Sequence, residues 1–331
     1  MNILFQISVV IVIITIIMFK GLYEKLNDKT PLPKIYPKTF GLPLDPDVKV
    51  MVMISGWPDT HTAWDKQIEL MKDEYHIVSI TSPDHDNSAL QRKWGYTLDE
   101  VPSMIGACID NHLGEDRKID VLVTHDWGAL YGYYLLESWR ERESGKGQLR
   151  HEVEKLIAIE VGASDKDDVS LPAHLPGFIH HTLHSAPYQI FLAVLFAIGN
   201  GISEKMADFI ATNGWSLEPL ITPMNTKFNW KKEAVRPINE VKWWYGYAYF
   251  YTWIGKLGIG PVIKRPAFPK VPTLFLYGQE KRTFFHSQEF EDRLAKTPGS
   301  RVIGYPNASH WLMFTHSPSI NKDILEFLSN S

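Results

Sequence analysis

The 331-residue chain holds a single cysteine, Cys108, so no internal disulfide can form and nothing asks for an oxidising compartment. It has no surplus of positive charge. The formal net charge is −4, which leaves no footprint for nucleic acid. It has no internal repeat and no low-complexity segment. No Gly-x-Ser-x-Gly run occurs, which argues against a serine esterase or lipase. His180, His181 and His184 fall close together, but no Asp, Glu or Cys completes them at ligand spacing. Neither a metal site nor a cofactor is therefore expected.

Apolar and aromatic residues are what the chain does have. Hydrophobic content is 44%, with 11 Trp, 14 Tyr and 16 Phe, which suggests a thick core or a large apolar cavity. Ile3 to Phe19 is an apolar run interrupted by Gln6, Ser8 and Thr15. Its 17 residues sit at the short end for a membrane-spanning helix. No basic residue precedes the run and no Ala lies in it, so a cleaved signal peptide fits poorly. Lys20, Lys25, Lys29, Lys34 and Lys38 follow it. The positive-inside rule then places the rest of the chain in the cytosol. The sequence predicts an N-terminal membrane anchor over 1–20, at the endoplasmic reticulum with a luminal N-terminus. A proline-rich extended tether over 21–45 follows, with Pro31, Pro33, Pro37 and Pro43. The one Asn-x-Ser/Thr signal, Asn307-Ala308-Ser309, lies beside His310, where a glycan would obstruct any site; this again favours a cytosolic domain.

The stretch that organises the chain is Val121-Leu-Val-Thr-His-Asp126-Trp-Gly128. Apolar residues run into a group of small and polar ones, and a helical apolar pattern (Leu130, Tyr133, Tyr134) follows at once. That reads as strand, abrupt turn, helix. Thr124 and Gly128 supply the small residues such a turn needs two positions either side of Asp126. A carboxylate presented there is ionised at neutral pH and attacks carbon without first losing a proton. The plain alternative is an Asp that caps an ordinary helix.

Around it, apolar strand runs at 49–54, 76–81, 121–125 and 154–160 alternate with helical patterns, one opening with the capping box Thr97-Leu-Asp-Glu100. Strands apolar throughout indicate a mostly parallel sheet with helices on both faces. The rhythm stops after Glu160 and resumes at Pro272–Gly278, Val302-Ile303 and a last helix from Ser319. The expected organisation is a core at 46–163, an inserted helical cap at 164–265 and a second core part at 266–331.

These stretches, in this order, resemble the α/β-hydrolase fold and, within it, the epoxide hydrolases. The anchors are Gly56-Trp57-Pro58, Thr124-His-Asp-Trp-Gly128 and Ser309-His310-Trp311. The resemblance implies that Asp126 forms an ester with a small apolar epoxide and that His310 activates water to hydrolyse it. Backbone N–H groups of Trp57 and Trp127 would form the oxyanion hole. Two cap tyrosines, matched at Tyr188 and Tyr245, would protonate the epoxide oxygen, with Tyr247, Tyr249 and Tyr251 close by. Two departures stand out. The usual His-Gly-x-Pro reads Ser55-Gly-Trp-Pro, and the usual position of the acid that orients His310 is Lys281. Glu280 is one residue short of it, whereas Glu160 stands at the position some haloalkane dehalogenases use, so Glu160 is the expected acid. A haloalkane dehalogenase and a non-catalytic membrane-tethered binding protein are the competing readings.

Overall fold

The computed structural model describes residues 3–86, 89–114, 116–143, 151–163, 175–214, 230–260, 266–281 and 284–329. Its framework is a seven-stranded sheet in the order β1-β3-β2-β4-β5-β6-β7. The strands are β1 (Lys38–Gly41), β2 (Lys49–Ile54), β3 (Tyr75–Ile80), β4 (Ile119–His125), β5 (Val153–Ile159), β6 (Thr273–Gly278) and β7 (Arg301–Tyr305). Every neighbouring pair is parallel except β1 with β3. The middle strands are Val-, Ile- and Leu-rich and buried along nearly their whole length, whereas β1 and β7 at the edges are exposed to half-buried. That gradient is what a parallel sheet covered on both faces demands of its sequence.

Helices α1 (Ile3–Asn27), α2 (Asp65–Met71), α3 (Glu100–Leu113) and α4 (Trp127–Glu143) precede or interleave the first five strands. The cap, inserted between β5 and β6, contains α5 (Leu175–Gly201), α6 (Glu204–Gly214), the short α7 (Trp230–Glu233) and α8 (Tyr247–Lys256). The chain closes with α9 (Gln288–Ala295), the single turn α10 (Leu312–Thr315) and α11 (Ser317–Ser329). The capping box forms as expected: Thr97 N–H donates to the Glu100 carboxylate at 2.9 Å, and Glu100 N–H donates to the Thr97 hydroxyl at 3.3 Å.

The N-terminal region departs from the sequence reading at two points. The segment read as an extended tether over 21–45 is helical as far as Asn27 and later supplies strand β1. Pro37 and Pro43 flank that strand rather than forbid it, since a four-residue edge strand tolerates missing donors at its ends. The apolar run is also no free-standing helix. Ile17, Met18 and Leu22 are buried, and Ile17 lies against Gly201 of α5. Burial of a side chain of this size is worth about 1.5–3 kcal/mol. A polar clasp completes the dock. Lys25 Nζ donates to Gly95 O at 2.9 Å and pairs with Glu100 at 2.5 Å, while Arg92 bridges Glu100 and Asp28. Among the described residues, no helix is long and apolar enough to cross a membrane.

Candidate active site

Sheet register assembles the site. Ile54 of β2 is level with Thr124 of β4, His125 with Ile159 of β5, and Ile159 with Leu276 of β6. The loops leaving β2, β4, β5 and β6 therefore emerge along one edge. They carry Trp57, Asp126, Glu160 and Lys281.

Asp126 occupies the turn between β4 and α4 with φ of 53°, in the left-handed region that costs an L-residue about 1 kcal/mol or more. Small neighbours make that turn possible. A Cβ on Gly128 would lie 2.3 Å from Ile54 O, and one on Gly56 would lie 2.5 Å from the Asp126 Cβ. The strain lifts the carboxylate off the sheet and into the reach of two partners. Trp57 N–H donates to Asp126 Oδ1 at 2.8 Å, and His310 Nε2 lies 3.2 Å from Oδ2. Trp127 N–H also bonds the carboxylate.

His310 is turned by Glu160, whose Oε2 lies 3.1 Å from Nδ1. Glu160 is fully buried, with φ of 78°, and its Oε1 accepts the Gly278 N–H at 2.7 Å. Lys281 Nζ donates to the same Oε2 that meets the histidine. Glu280 sits on the loop after β6, its N–H donating to Ala308 O at 2.9 Å; the carboxylate that meets His310 is that of Glu160.

The charges follow from these contacts. Burial raises Asp126, but the His310 hydrogen bond and charge, with His125 and the Trp127 N–H, outweigh it and hold the carboxyl below its usual range. Burial likewise raises Glu160, and the Lys281 and His310 charges bring it down to about 2. Burial lowers His310, yet its bonds to Asp126 and Glu160 raise it to about 9. At neutral pH the resting site therefore holds an ionised Asp126 carboxylate beside an imidazolium.

Two cap tyrosines, Tyr188 and Tyr249, stand close enough to Asp126 to feel its charge. The Tyr188 and Tyr249 rings meet edge to face at 5.6 Å, and Tyr249 also stands edge-on to Trp57 at 5.6 Å and to Trp127 at 5.3 Å. The two phenols are hydrogen-bonded to each other, and the Trp127 indole donates to Tyr249. Tyr245 lies against His85 at 4.5 Å with the Arg236 guanidinium 5.2 Å from its ring. Trp243–Gly246 is a 3₁₀ turn that gives way to α8 at Tyr247, so Tyr245 and Tyr249 belong to different elements.

Ser55, in the place of the expected histidine, donates to Thr60 O at 2.8 Å and so ties down the loop that carries the Trp57 N–H. Sequence reasoning passed over Asp59. It is buried, pushed up to about 7 by desolvation, and accepts the Trp311 indole N–H at 2.8 Å. Its place directly after Gly56-Trp57-Pro58 was the available signal. The side chains of His180, His181 and His184 lie outside the described residues; among those described, no group of three or more His, Cys, Asp or Glu could hold a metal ion.

The chain belongs to the alpha/beta hydrolase family, which it matches over residues 51–319. It superposes over 89% of its length on 96% of an epoxide hydrolase from Bacillus megaterium, with TM-score 0.57 and 18% identity. An enol-lactonase from Burkholderia xenovorans LB400 superposes with TM-score 0.54 and 14% identity, covering 89% of this chain and 96% of that one. Identities this low speak for the fold, which hosts more than one reaction. In sequence, the chain is 30% identical over 96 residues to Epoxide hydrolase 1 of Caenorhabditis elegans, covering 29% of this chain and 23% of that protein. The match thus spans less than a quarter of that relative's length.

Proposed function

We propose that the enzyme opens a small apolar epoxide to a diol through an ester on Asp126. The observation that carries this reading is a carboxylate in the nucleophile's strained turn, with His310 on one oxygen and a pair of cap phenols above. In the first step, an Asp126 oxygen forms a bond to an epoxide carbon while the carbon–oxygen bond breaks. The released oxygen takes a proton from Tyr188 or Tyr249, whose burial keeps both phenols protonated. In the second, the proton that imidazolium His310 carries at rest is released and the phenolate regains one; water then attacks Asp126 Cγ and gives a proton to the neutral His310. The tetrahedral oxyanion is held by the N–H groups of Trp57 and Trp127. Collapse expels the diol oxygen, which takes that proton, and Asp126, released as the acid, passes its proton to the adjacent His310, which restores the carboxylate and the imidazolium.

A haloalkane dehalogenase would share this triad but needs two N–H donors for the departing halide. The Trp127 indole N–H is spent on Tyr249, which favours the epoxide. The test is mass spectrometry of His310→Gln after exposure to styrene oxide. An adduct on Asp126 of one epoxide mass is expected. Its absence in folded protein overturns the reading and leaves a binding role.

Membrane attachment through the N-terminal helix, with the hydrolase domain on the cytosolic side of the endoplasmic reticulum, is also part of this proposal. It rests on the apolar run and the lysines after it. Exposed Val12, Ile13, Ile16 and Phe19 offer an apolar face beside the docked one. Protease treatment of sealed microsomes should digest the domain without detergent; full protection overturns this topology.

A further inference from the structure

The geometry points to Lys281 as a positioning residue for the water-attack step, acting by sharing Oε2 of Glu160 with His310. The inference rests on the Asp126-ester reading above. The acid and the lysine have a reciprocal placement. Where the resemblance puts a carboxylate, after β6, this chain has a lysine, and its carboxylate stands after β5 instead. The two are not merely near each other. Both side chains are fully buried, and the ammonium donates to the very oxygen that meets His310 Nδ1. Lys281 also lies 5.6 Å from the ring centres of Phe284 and Phe285, and Phe285 packs on His310 at 5.8 Å. A cation in such a place is costly unless it is paired, so a bare structural role is better served by an apolar residue of the same size.

What the cation does depends on the state of Asp126. In the resting enzyme His310 faces two carboxylates, Asp126 and Glu160, together with the His125 ring at 4.7 Å and, further off, Asp59. Both carboxylates favour the imidazolium. Once Asp126 is an ester, its charge is gone and Glu160 alone holds the proton on His310. An unshared, buried Glu160 would keep the imidazole charged and unable to take a proton from water. With Lys281 drawing on Oε2, the hold weakens while the orienting contact at Nδ1 remains. His310 then sheds its proton once the ester has formed, when a base is needed, and that proton balances the one the cap phenol gave to the epoxide oxygen. Lys281 touches neither epoxide nor water in this scheme and acts through Glu160.

The experiment measures ester formation and ester hydrolysis separately, by quenched-flow mass spectrometry with styrene oxide, across pH. It compares the full-length chain with Lys281→Gln, which keeps a donor and loses the charge, and with Lys281→Arg, which keeps both. For Lys281→Gln the basic group that governs hydrolysis should titrate about one pH unit higher, which slows hydrolysis about tenfold at pH 7. Ester formation should change less than about threefold, and Lys281→Arg should restore the profile. An unshifted hydrolysis profile in folded Lys281→Gln overturns the inference. So does a parallel fall in both steps, or failure of both variants to fold, since the pair is then a structural strut. If the unsubstituted protein forms no Asp126 ester at all, it is the function reading that fails.

Discussion

The hydrolase core and the cap contribute to the site under different rules. In the core, Trp57, Asp126 and Glu160 each stand within three residues of a strand's carboxyl end, and the register of β2, β4, β5 and β6 brings those ends level. Parallel pairing fixes that register, and a slip of one residue would exchange the side chains packed on the two buried faces of the sheet. A core residue is thus placed by its distance in sequence from a strand. In the cap, Tyr188 and Tyr249 come from α5 and α8, which no ladder connects to the sheet. Their place depends on how aromatic faces stack, and α8 offers Tyr247, Tyr249 and Tyr251 in close succession, all buried. Strand-end chemistry is therefore specified locally, whereas cap chemistry is specified by docking.

The most severe test of that contrast lies inside the core, at the two candidate acids. Glu160→Gln removes the charge that orients His310 and should slow ester hydrolysis on the order of 10²–10⁴-fold, as loss of a triad acid does elsewhere. It also removes one of the groups that raise His310, so the resting imidazole should titrate below its present value of about 9. Glu280→Gln should change hydrolysis by less than about threefold, because its side chain does not orient the histidine. Rate measurements on the two variants, with NMR titration of the His310 ring, decide the matter. A larger effect at Glu280 would mean that a strand end alone does not identify the acid.

Much of the fold was legible for the reasons just given. The apolar runs that form β2, β4, β5 and β6 are bounded within one or two residues of the structure, and the helical cap falls where the strand rhythm lapses. Asp126 was legible through turn chemistry, and His310 and Glu160 through the family resemblance. Three features were not. Strand β1 is four residues long among prolines and shows no alternation, because neither of its faces is buried. The docking of α1 was hidden because an apolar helix reads the same whether it faces lipid or protein. Ile17 and Leu22 choose the cap only once α5 and Trp94 are in place. Lys281 was visible as a departure, but its pairing with Glu160 spans 121 positions and depends on β5 and β6 lying side by side.

The cap supplies the subtler test, between Tyr249 and Tyr245. They are four residues apart, one helical turn, so a small error in how α8 begins exchanges one for the other. Tyr249→Phe keeps the ring packed on Trp57 and Trp127 and removes only the hydroxyl that bonds Tyr188. General-acid assistance is worth roughly 10²–10⁴-fold, and Tyr188 still supplies part of it, so ester formation should slow roughly 10- to 100-fold. Ester hydrolysis should be almost untouched, since the phenols act on the epoxide oxygen and not on water. Tyr245→Phe removes a hydroxyl from a ring packed against His85 and Arg236 and should change either step by less than about threefold. Single-turnover rates with styrene oxide separate the two steps. If Tyr245→Phe proves the slower in ester formation, α8 docks one turn from where it is described, and the pairing of Tyr188 with Tyr249 is not the one that protonates the epoxide.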